Sequence, residues 1–278
     1  MQGSSRASLQ AAHKQLTAAT ASGRGAGKGA VDAMVLGDEL FAVAAALDSS
    51  ATLRRALTDP GREGDARARL LADLFGGGRI SAAALELGQS VARSRWSRSG
   101  DIADAFEALA VASVVIAADE AGQLGALEDE LFRFERTVQG NHDLRDALTD
   151  RRGNAAAKAE LIGTLLRGKA TDATVRLARQ AVLAPRGRRL ASSLESYLAA
   201  AAARREQFVA HATVATPLSA KHLDRLQGAL SKLFNHEVQL NVDVDPELIG
   251  GVRVEVGDEV VDGSLLRRIE EAERRLAG

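Results

Sequence analysis

DELFAVAAALDSSATLRRALTD (residues 38–59) and DELFRFERTVQGNHDLRDALTD (residues 129–150) begin with the same four residues and end with the same LR-x-ALTD phrase. The second stretch starts 91 residues after the first (129 − 38). Four more pairs of identical residues share that shift: Leu70 and Leu161, Leu74 and Leu165, Gln89 and Gln180, and Arg95 and Arg186. Identities spread over about 60 residues at one shift indicate an internal duplication. The first two-thirds of the chain is therefore predicted to be a repeated unit.

The residues around these phrases have the composition and spacing of helices. Ala, Leu, Arg and Glu are abundant, aromatic residues make up only 3% of the chain, and apolar residues recur at helical spacing from Val31 to Leu47. N-cap residues precede the predicted helices at Ser50, Ser81, Asn141 and Asn154. The apolar run Ala108–Ala118 is expected to continue past Gly122 into the second DELF helix. We predict an N-terminal helix and flexible linker over residues 1–30, a first helical bundle over 31–119 and a second over 120–207.

After residue 207 the apolar pattern changes from helical to alternating. Residues 208–214 and 238–244 alternate as strands, and residues 217–234 between them have one apolar helical face. Gly257-Asp258 is a hairpin signal between two further short strands, and a charged helix follows Ser264. The predicted fold is therefore mainly α with a small C-terminal α+β domain over 208–278, in the order β-α-β-β-α.

Bulk properties exclude several function classes. The net charge of −1 provides no general attraction to nucleic acid, and the absence of cysteine excludes thiolate chemistry and disulfides. No apolar run approaches the roughly 18–20 residues that span a bilayer. The first 31 residues contain no Asp or Glu. That composition fits a transit peptide, but a first helix with Leu9, Ala12 and Leu16 on one face is the favoured interpretation.

No motif in the sequence carries catalysis, a cofactor or a metal. The glycine-rich segment Gly23–Gly29 lacks the preceding strand and the Ser or Thr of a phosphate loop, and the five histidines have no ligand-like spacing. Two equivalent basic turns, residues 93–98 with Trp96 and residues 185–189, allow two interpretations. Trp96 could stack on a nucleic-acid base, or each turn could dock against an acidic face, and we favour docking.

The most specific stretch is LNVDVDPELIGGVRVEVGDEVVDGS (residues 240–264). It strongly resembles the delta subunit of F-type ATP synthases, the family of the mitochondrial oligomycin-sensitivity-conferring protein. The residues that carry this signature are Gly250, Gly251, Gly257, Asp258, Asp262, Gly263 and Ser264. The resemblance covers residues 120–278 directly and residues 31–119 as a second copy, so the chain resembles a long form with a duplicated helical domain.

The resemblance implies a non-catalytic subunit of a proton-translocating ATP synthase, without a cofactor. Such a subunit belongs to the peripheral stalk, lies on the cytoplasmic face of the bacterial plasma membrane, and resists the torque of the rotor. Its helical domain is expected to bind the N-terminal helices of alpha subunits, and its C-terminal domain the end of the b subunit. The second helical copy is the favoured docking copy, with these candidate residues: Leu131, Phe132, Leu144, Leu148, Leu161 and Leu165. The alternative is a helical-repeat adaptor unrelated to ATP synthases.

Overall fold

The computed structural model describes residues 3–22, 31–150, 152–206, 209–214, 216, 218–234, 238–245, 252–256 and 259–262. The chain divides after Ala201 into two compact units. The helices that precede the sheet are α1 (Ser4–Ser22), α2 (Ala33–Ser49), α3 (Ala51–Thr58), α4 (Gly64–Phe75), α5 (Ala82–Arg93), α6 (Asp101–Glu120), α7 (Leu124–Gly140), α8 (His142–Thr149), α9 (Ala155–Leu166), α10 (Asp172–Leu183) and α11 (Leu190–Glu206). The second unit contains β1 (Val209–Val214), α12 (Ala220–Phe234), β2 (Gln239–Val244), β3 (Val252–Val256) and β4 (Glu259–Asp262). The predicted fold class is confirmed.

Helix positions repeat along the chain as the sequence does. Helices α2, α3 and α4 begin at residues 33, 51 and 64, and α7, α8 and α9 begin 91 residues later at 124, 142 and 155. The carboxylate of Glu39 accepts hydrogen bonds from the backbone N and hydroxyl of Ser81 at 2.7 and 2.6 Å. Glu130 accepts from the same two groups of Thr171 at 2.8 and 3.0 Å. Since Ser81 and Thr171 are the N-caps of α5 and α10, each DELF glutamate stabilises a helix start, where backbone amides lack partners.

Helix α6 belongs to both copies. It packs against α1, α2 and α5 of the first copy and against α7 and α10 of the second. Of its 20 residues 14 are buried, which explains the apolar run Ala108–Ala118, because a helix enclosed by neighbours has no solvent face. The buried residues of the two copies accordingly form one continuous core. The division of this body at residues 119 and 120 remains a prediction.

The prediction that α6 continues into the second DELF helix is wrong. Helix α6 ends at Glu120 and α7 begins at Leu124. Gly122 between them has a φ of +67°, and the backbone N of Gln123 donates to the carbonyl of Ala118 at 2.7 Å. A left-handed glycine with such a closing bond ends a helix, so Gly122 was the available signal.

The N-terminal segment forms α1, which packs against α5 and α6. Ala12 and Leu16 are buried, in agreement with the favoured interpretation as a helix with one apolar face. The hydroxyl of Ser5 donates to Asp101 at 2.8 Å and accepts from the backbone N of Ser97 at 2.8 Å, which fastens the first turn. The predicted linker, residues 23–30, lies outside the described residues.

Helices α2 and α6 approach each other closely at Gly37. A Cβ atom at this position would lie 2.9 Å from the Cγ2 of Val114 and 3.2 Å from the carbonyl oxygen of Ala110. Both distances are shorter than ordinary van der Waals contact, so the absence of a side chain sets the spacing of this helix pair.

The second unit is a four-stranded sheet in the order β2-β1-β3-β4 with α12 packed on it. Strand β1 is parallel to β2, as the crossover through α12 requires, and antiparallel to β3. Its small core consists of Ala210, Ala212, Leu230, Val238, Val254 and Val256. The predicted hairpin contributes two strands, since Glu259–Asp262 pairs with β3, so the described order is β-α-β-β-β. The predicted last helix lies outside the described residues.

Candidate partner-docking site

The predicted docking residues separate into a buried and an accessible set. Leu131 and Leu148 lie in the helical core, and Leu144 is half-buried against it. The exposed residues are Phe132 at 55%, Leu161 at 38% and Leu165 at 38%. Leu131 and Phe132 differ because neighbours along a helix face different directions, and only one of them can point into the bundle. The docking prediction is therefore narrowed to one side chain of α7 and two of α9.

The first copy offers a comparison for each exposed position. Leu74, the counterpart of Leu165 (165 − 91), is 40% exposed, so the two copies match there. Phe41, the counterpart of Phe132 (132 − 91), is only 3% exposed. The copies thus differ most at this phenylalanine.

Phe41 is covered by an arginine from the second copy. The guanidinium carbon of Arg176, on α10, lies 4.5 Å from the centroid of the Phe41 ring, within the range of a cation–π contact. The same guanidinium forms an ion pair with Asp38, one turn before Phe41 on α2. An acid and an aromatic ring on one helix face therefore hold a single arginine of the neighbouring copy.

A second contact between the copies is a cluster of charges around Arg186, in the turn between α10 and α11. Arg186 forms ion pairs with Asp48 at the end of α2, with Asp104 at 2.8 Å and with Glu107 at 2.7 Å. Arg188 also pairs with Glu107, whose side chain is only 4% exposed. The predicted docking of this basic turn against an acidic face is confirmed, and the acids belong to the first copy. We call this cluster, Asp48, Asp104, Glu107, Arg186 and Arg188, the arginine clamp.

The environment of the clamp alters the pKa of its neighbours. Burial and the negative charge of Glu107 raise the pKa of Tyr197, whose hydroxyl lies 3.4 Å from that carboxylate. Burial alone would lower the pKa of Arg186, but Asp104, Glu107 and Asp48 outweigh it and raise the pKa. Both shifts keep the phenol neutral and the guanidinium charged over the physiological pH range.

The equivalent turn of the first copy does not present an aromatic ring for base stacking. Trp96 is buried, and its indole N–H donates to the carbonyl of Val91 at 3.0 Å. The base-stacking interpretation of this residue is wrong, because the ring completes the core beside α5.

Sequence reasoning missed the acids of the arginine clamp and the Asp38–Arg176 pair. Glu107 stands in the apolar stretch of α6, and a carboxylate among buried residues requires a partner, so its position was a usable signal. Asp38 and Arg176 are 138 residues apart, and nothing in the spacing of either residue predicts their contact.

The residues of the C-terminal signature are mostly beyond reach of a structural account. Asp262 ends β4, where its backbone pairs with Arg253, while Gly250, Gly251, Gly257, Asp258, Gly263 and Ser264 lie outside the described residues. Among the residues that are described, no three His, Asp or Glu side chains converge as metal ligands would. None of the described helices has the length and apolarity needed to cross a membrane.

Comparisons with known proteins identify relatives over almost the whole chain. The family described as ATP synthase delta (OSCP) subunit matches residues 110–276. A Kineococcus radiotolerans protein named ATP synthase subunit delta is 49% identical over 277 residues, covering 99% of this chain and 98% of the relative. Proteins of the same name from Streptomyces avermitilis and Streptomyces coelicolor are each 48% identical, over 99% and 100% of this chain and 98% of each relative.

These matches exclude the alternative of a helical-repeat adaptor unrelated to ATP synthases, since an unrelated adaptor would not share half its residues with delta subunits along its full length. The match from residue 110 begins inside α6 and includes the second helical copy and the sheet. The chain belongs to the ATP synthase delta (OSCP) subunit family.

Proposed function

We propose that this chain, as a delta-family subunit of an F-type ATP synthase, joins the catalytic head to the peripheral stalk without performing chemistry itself. In this proposal the second helical copy binds the N-terminal helices of alpha subunits, and the C-terminal unit binds the end of the b subunit. The chain then lies on the cytoplasmic face of the bacterial plasma membrane, held there through the complex. It keeps the head from turning with the rotor.

The observation that carries the docking assignment is the exposed apolar surface of the second copy. Phe132 on α7 and Leu161 and Leu165 on α9 are large apolar side chains left in contact with solvent. Apolar side chains on helices are the usual anchors for a partner helix that lays its own apolar face against them. The family match, which begins at residue 110, also favours the second copy as the one that corresponds to a shorter delta subunit.

A stator joint also requires that force pass through the chain without internal hinges. The shared helix α6 and the arginine clamp supply this property within the helical unit, because they fix one copy to the other through a common core. Partners bound at two places on one chain also dissociate more slowly than either alone. The added copy is then an extension of a single rigid block, which strengthens or lengthens the joint.

The test compares two leucines at equivalent positions. Leu165→Glu places a charge on the proposed docking face, and Leu74→Glu makes the same change at an equally exposed position of the first copy. We expect Leu165→Glu to weaken binding to purified alpha–beta heads by about tenfold or more, as burial of an unpaired charge requires, and Leu74→Glu to leave it unchanged. Equal effects of the two substitutions would contradict the assignment to the second copy.

The contribution of the added copy requires a deletion that spares α6. Removing residues 1–115 would take away most of the helix that α7 and α10 pack against, so loss of binding would reflect unfolding. A chain that begins at residue 100 keeps α6 whole. We expect it to retain alpha binding but to dissociate faster from the assembled synthase, and an unchanged dissociation rate would contradict a mechanical role for the first copy.

A further inference from the structure

The contact between the two copies is a template for a surface that remains open. On the first copy, Asp38 and Phe41 lie one helical turn apart on α2 and receive Arg176 from α10 of the second copy. This is a head-to-tail contact, because the α2 face of one copy is used and the α10 face of the other. A head-to-tail contact leaves the equivalent receiving face of the last copy unused.

That face is formed by Asp129 and Phe132 on α7. These residues match Asp38 and Phe41 at the shift of 91, and the adjacent glutamates make the same cap in both copies, so the two faces are placed alike within their bundles. Phe132 is 55% exposed, and among the described residues no cation is paired with Asp129. The second copy therefore repeats the binding elements without their occupant.

The surroundings of Phe132 favour a cation more strongly than those of Phe41. One turn to either side of Phe132 lie Glu128, Asp129, Glu135 and Arg136, where the first copy has Gly37, Asp38, Ala44 and Ala45. Three acids and one base replace a single acid. A negatively charged helix face with an exposed aromatic ring attracts a basic partner through charge and through the ring quadrupole.

We propose that the Asp129–Phe132 face of α7 binds an α-helix of another subunit through an arginine or lysine that stacks on Phe132 and pairs with Asp129. The partner is not a second copy of this chain in head-to-tail contact, because the first-copy residue equivalent to Arg176 is Leu85 (176 − 91), which has no charge. The guanidinium of arginine is the better fit, since it stacks on an aromatic ring while its N–H groups reach a carboxylate, as Arg176 does.

This proposal rests on membership of the synthase complex, but it concerns α7 and a cation, whereas the proposed alpha contact on α9 is apolar. The two are separated by site-specific photo-crosslinking. The photoreactive residue p-benzoylphenylalanine replaces Phe132 in one variant and Leu165 in another, each in the full chain assembled into the native complex.

We expect position 132 to crosslink to one helical segment of another subunit that contains an arginine or lysine within a turn of the crosslinked residue. An assembled complex with crosslinks from position 165 and none from 132 would overturn the inference and leave the proposed function intact. A crosslink from 132 to a segment without a basic residue would also overturn it. Crosslinks from 132 alone would instead contradict the alpha contact on α9.

Charge and ring variants test the chemistry of the contact. Phe132→Leu keeps an apolar side chain but removes the π face, and Asp129→Asn removes the charge at constant size. Each is expected to weaken rebinding of the purified chain to subunit-depleted synthase by about threefold to tenfold, the range of one partly exposed cation–π contact or ion pair. Thr137→Ala, at an exposed position on another face of α7, is the matched control and should leave rebinding unchanged. Rebinding that both face variants leave at the wild-type level would overturn the proposal.

Discussion

Replacing Arg186 with methionine tests whether the arginine clamp holds the two helical copies together. Methionine keeps much of the length of the side chain and removes its charge. The substitution breaks the ion pairs of Arg186 with Asp48, Asp104 and Glu107. Glu107, with a side chain only 4% exposed, then keeps Arg188 and the hydroxyl of Tyr197 as its partners. The first copy is left with a poorly compensated buried acid.

The expected loss of stability follows from the burial of each partner. Removing one member of a fully buried ion pair costs about 3–5 kcal/mol. Asp104 is half exposed and Arg188 remains on Glu107, so the lower value of about 2–3 kcal/mol is appropriate. For a unit of about 200 residues each kcal/mol lowers Tm by roughly 2–4 °C, which predicts a decrease of about 4–12 °C.

Thermal unfolding followed by circular dichroism and by fluorescence of the single tryptophan, Trp96, provides the measurement. Arg93→Met is the control, because Arg93 pairs with Asp65 at 2.8 Å on the surface, and its Tm should equal that of the wild type. Combining Arg186→Met with Glu107→Gln should cost less than the sum of the two single changes. A decrease of less than about 2 °C for Arg186→Met, or strict additivity, would refute the account of the clamp.

Three further predictions concern the helical unit. Gly37→Leu should destabilise it by about 1–3 kcal/mol in urea titrations, because the side chain would overlap Val114, whereas Gly125→Ala, at a helical position with open space, should stabilise it by about 0.5–1 kcal/mol; destabilisation by both would contradict the close α2–α6 contact. Glu130→Ala removes three hydrogen bonds at the start of α10 and should lower stability by about 1–2 kcal/mol in the same titration, so an unchanged midpoint would contradict the capping role. Tyr197, the sole tyrosine, has a raised pKa, so its neutral form stabilises the fold below the unfolded-state pKa of about 10 and this contribution is lost as the pH rises further. Absorbance at about 295 nm should show little tyrosinate at pH 10.5 in the folded protein, where roughly three quarters of an unperturbed tyrosine is ionised, and normal ionisation would contradict burial against Glu107.

The helices could be predicted from the sequence because their signals are local. Ser50, Ser81, Asn141 and Asn154 cap helices as their side chains and positions indicate, and the shift of 91 recurs in the starts of α2 and α7. The shared role of α6 was not predicted, because an apolar run does not reveal how many neighbours enclose it. Its all-round apolarity was nevertheless the visible consequence of belonging to both copies.

The candidate docking site was only partly predictable, because identical residues have different environments in the two copies. Phe41 and Phe132 occupy equivalent positions in the repeat, yet one is covered by Arg176 and the other is exposed. Burial depends on what lies beyond the last copy of a repeat, and a repeat pattern carries no information about its own end. Leu131 and Leu148 were assigned to a partner for a similar reason, since apolar periodicity marks a buried face without specifying what buries it.

Crosslinking of the assembled synthase through lysines, read by mass spectrometry, tests the central claim most directly. Only six lysines are present, among them Lys169 beside the second helical copy and Lys221 and Lys232 in the C-terminal unit. If this chain joins head to stalk as proposed, Lys169 crosslinks to the N-terminal region of an alpha subunit, and Lys221 or Lys232 crosslinks to the b subunit. Crosslinks from Lys169 to the b subunit alone, or from the C-terminal lysines to alpha alone, would contradict it.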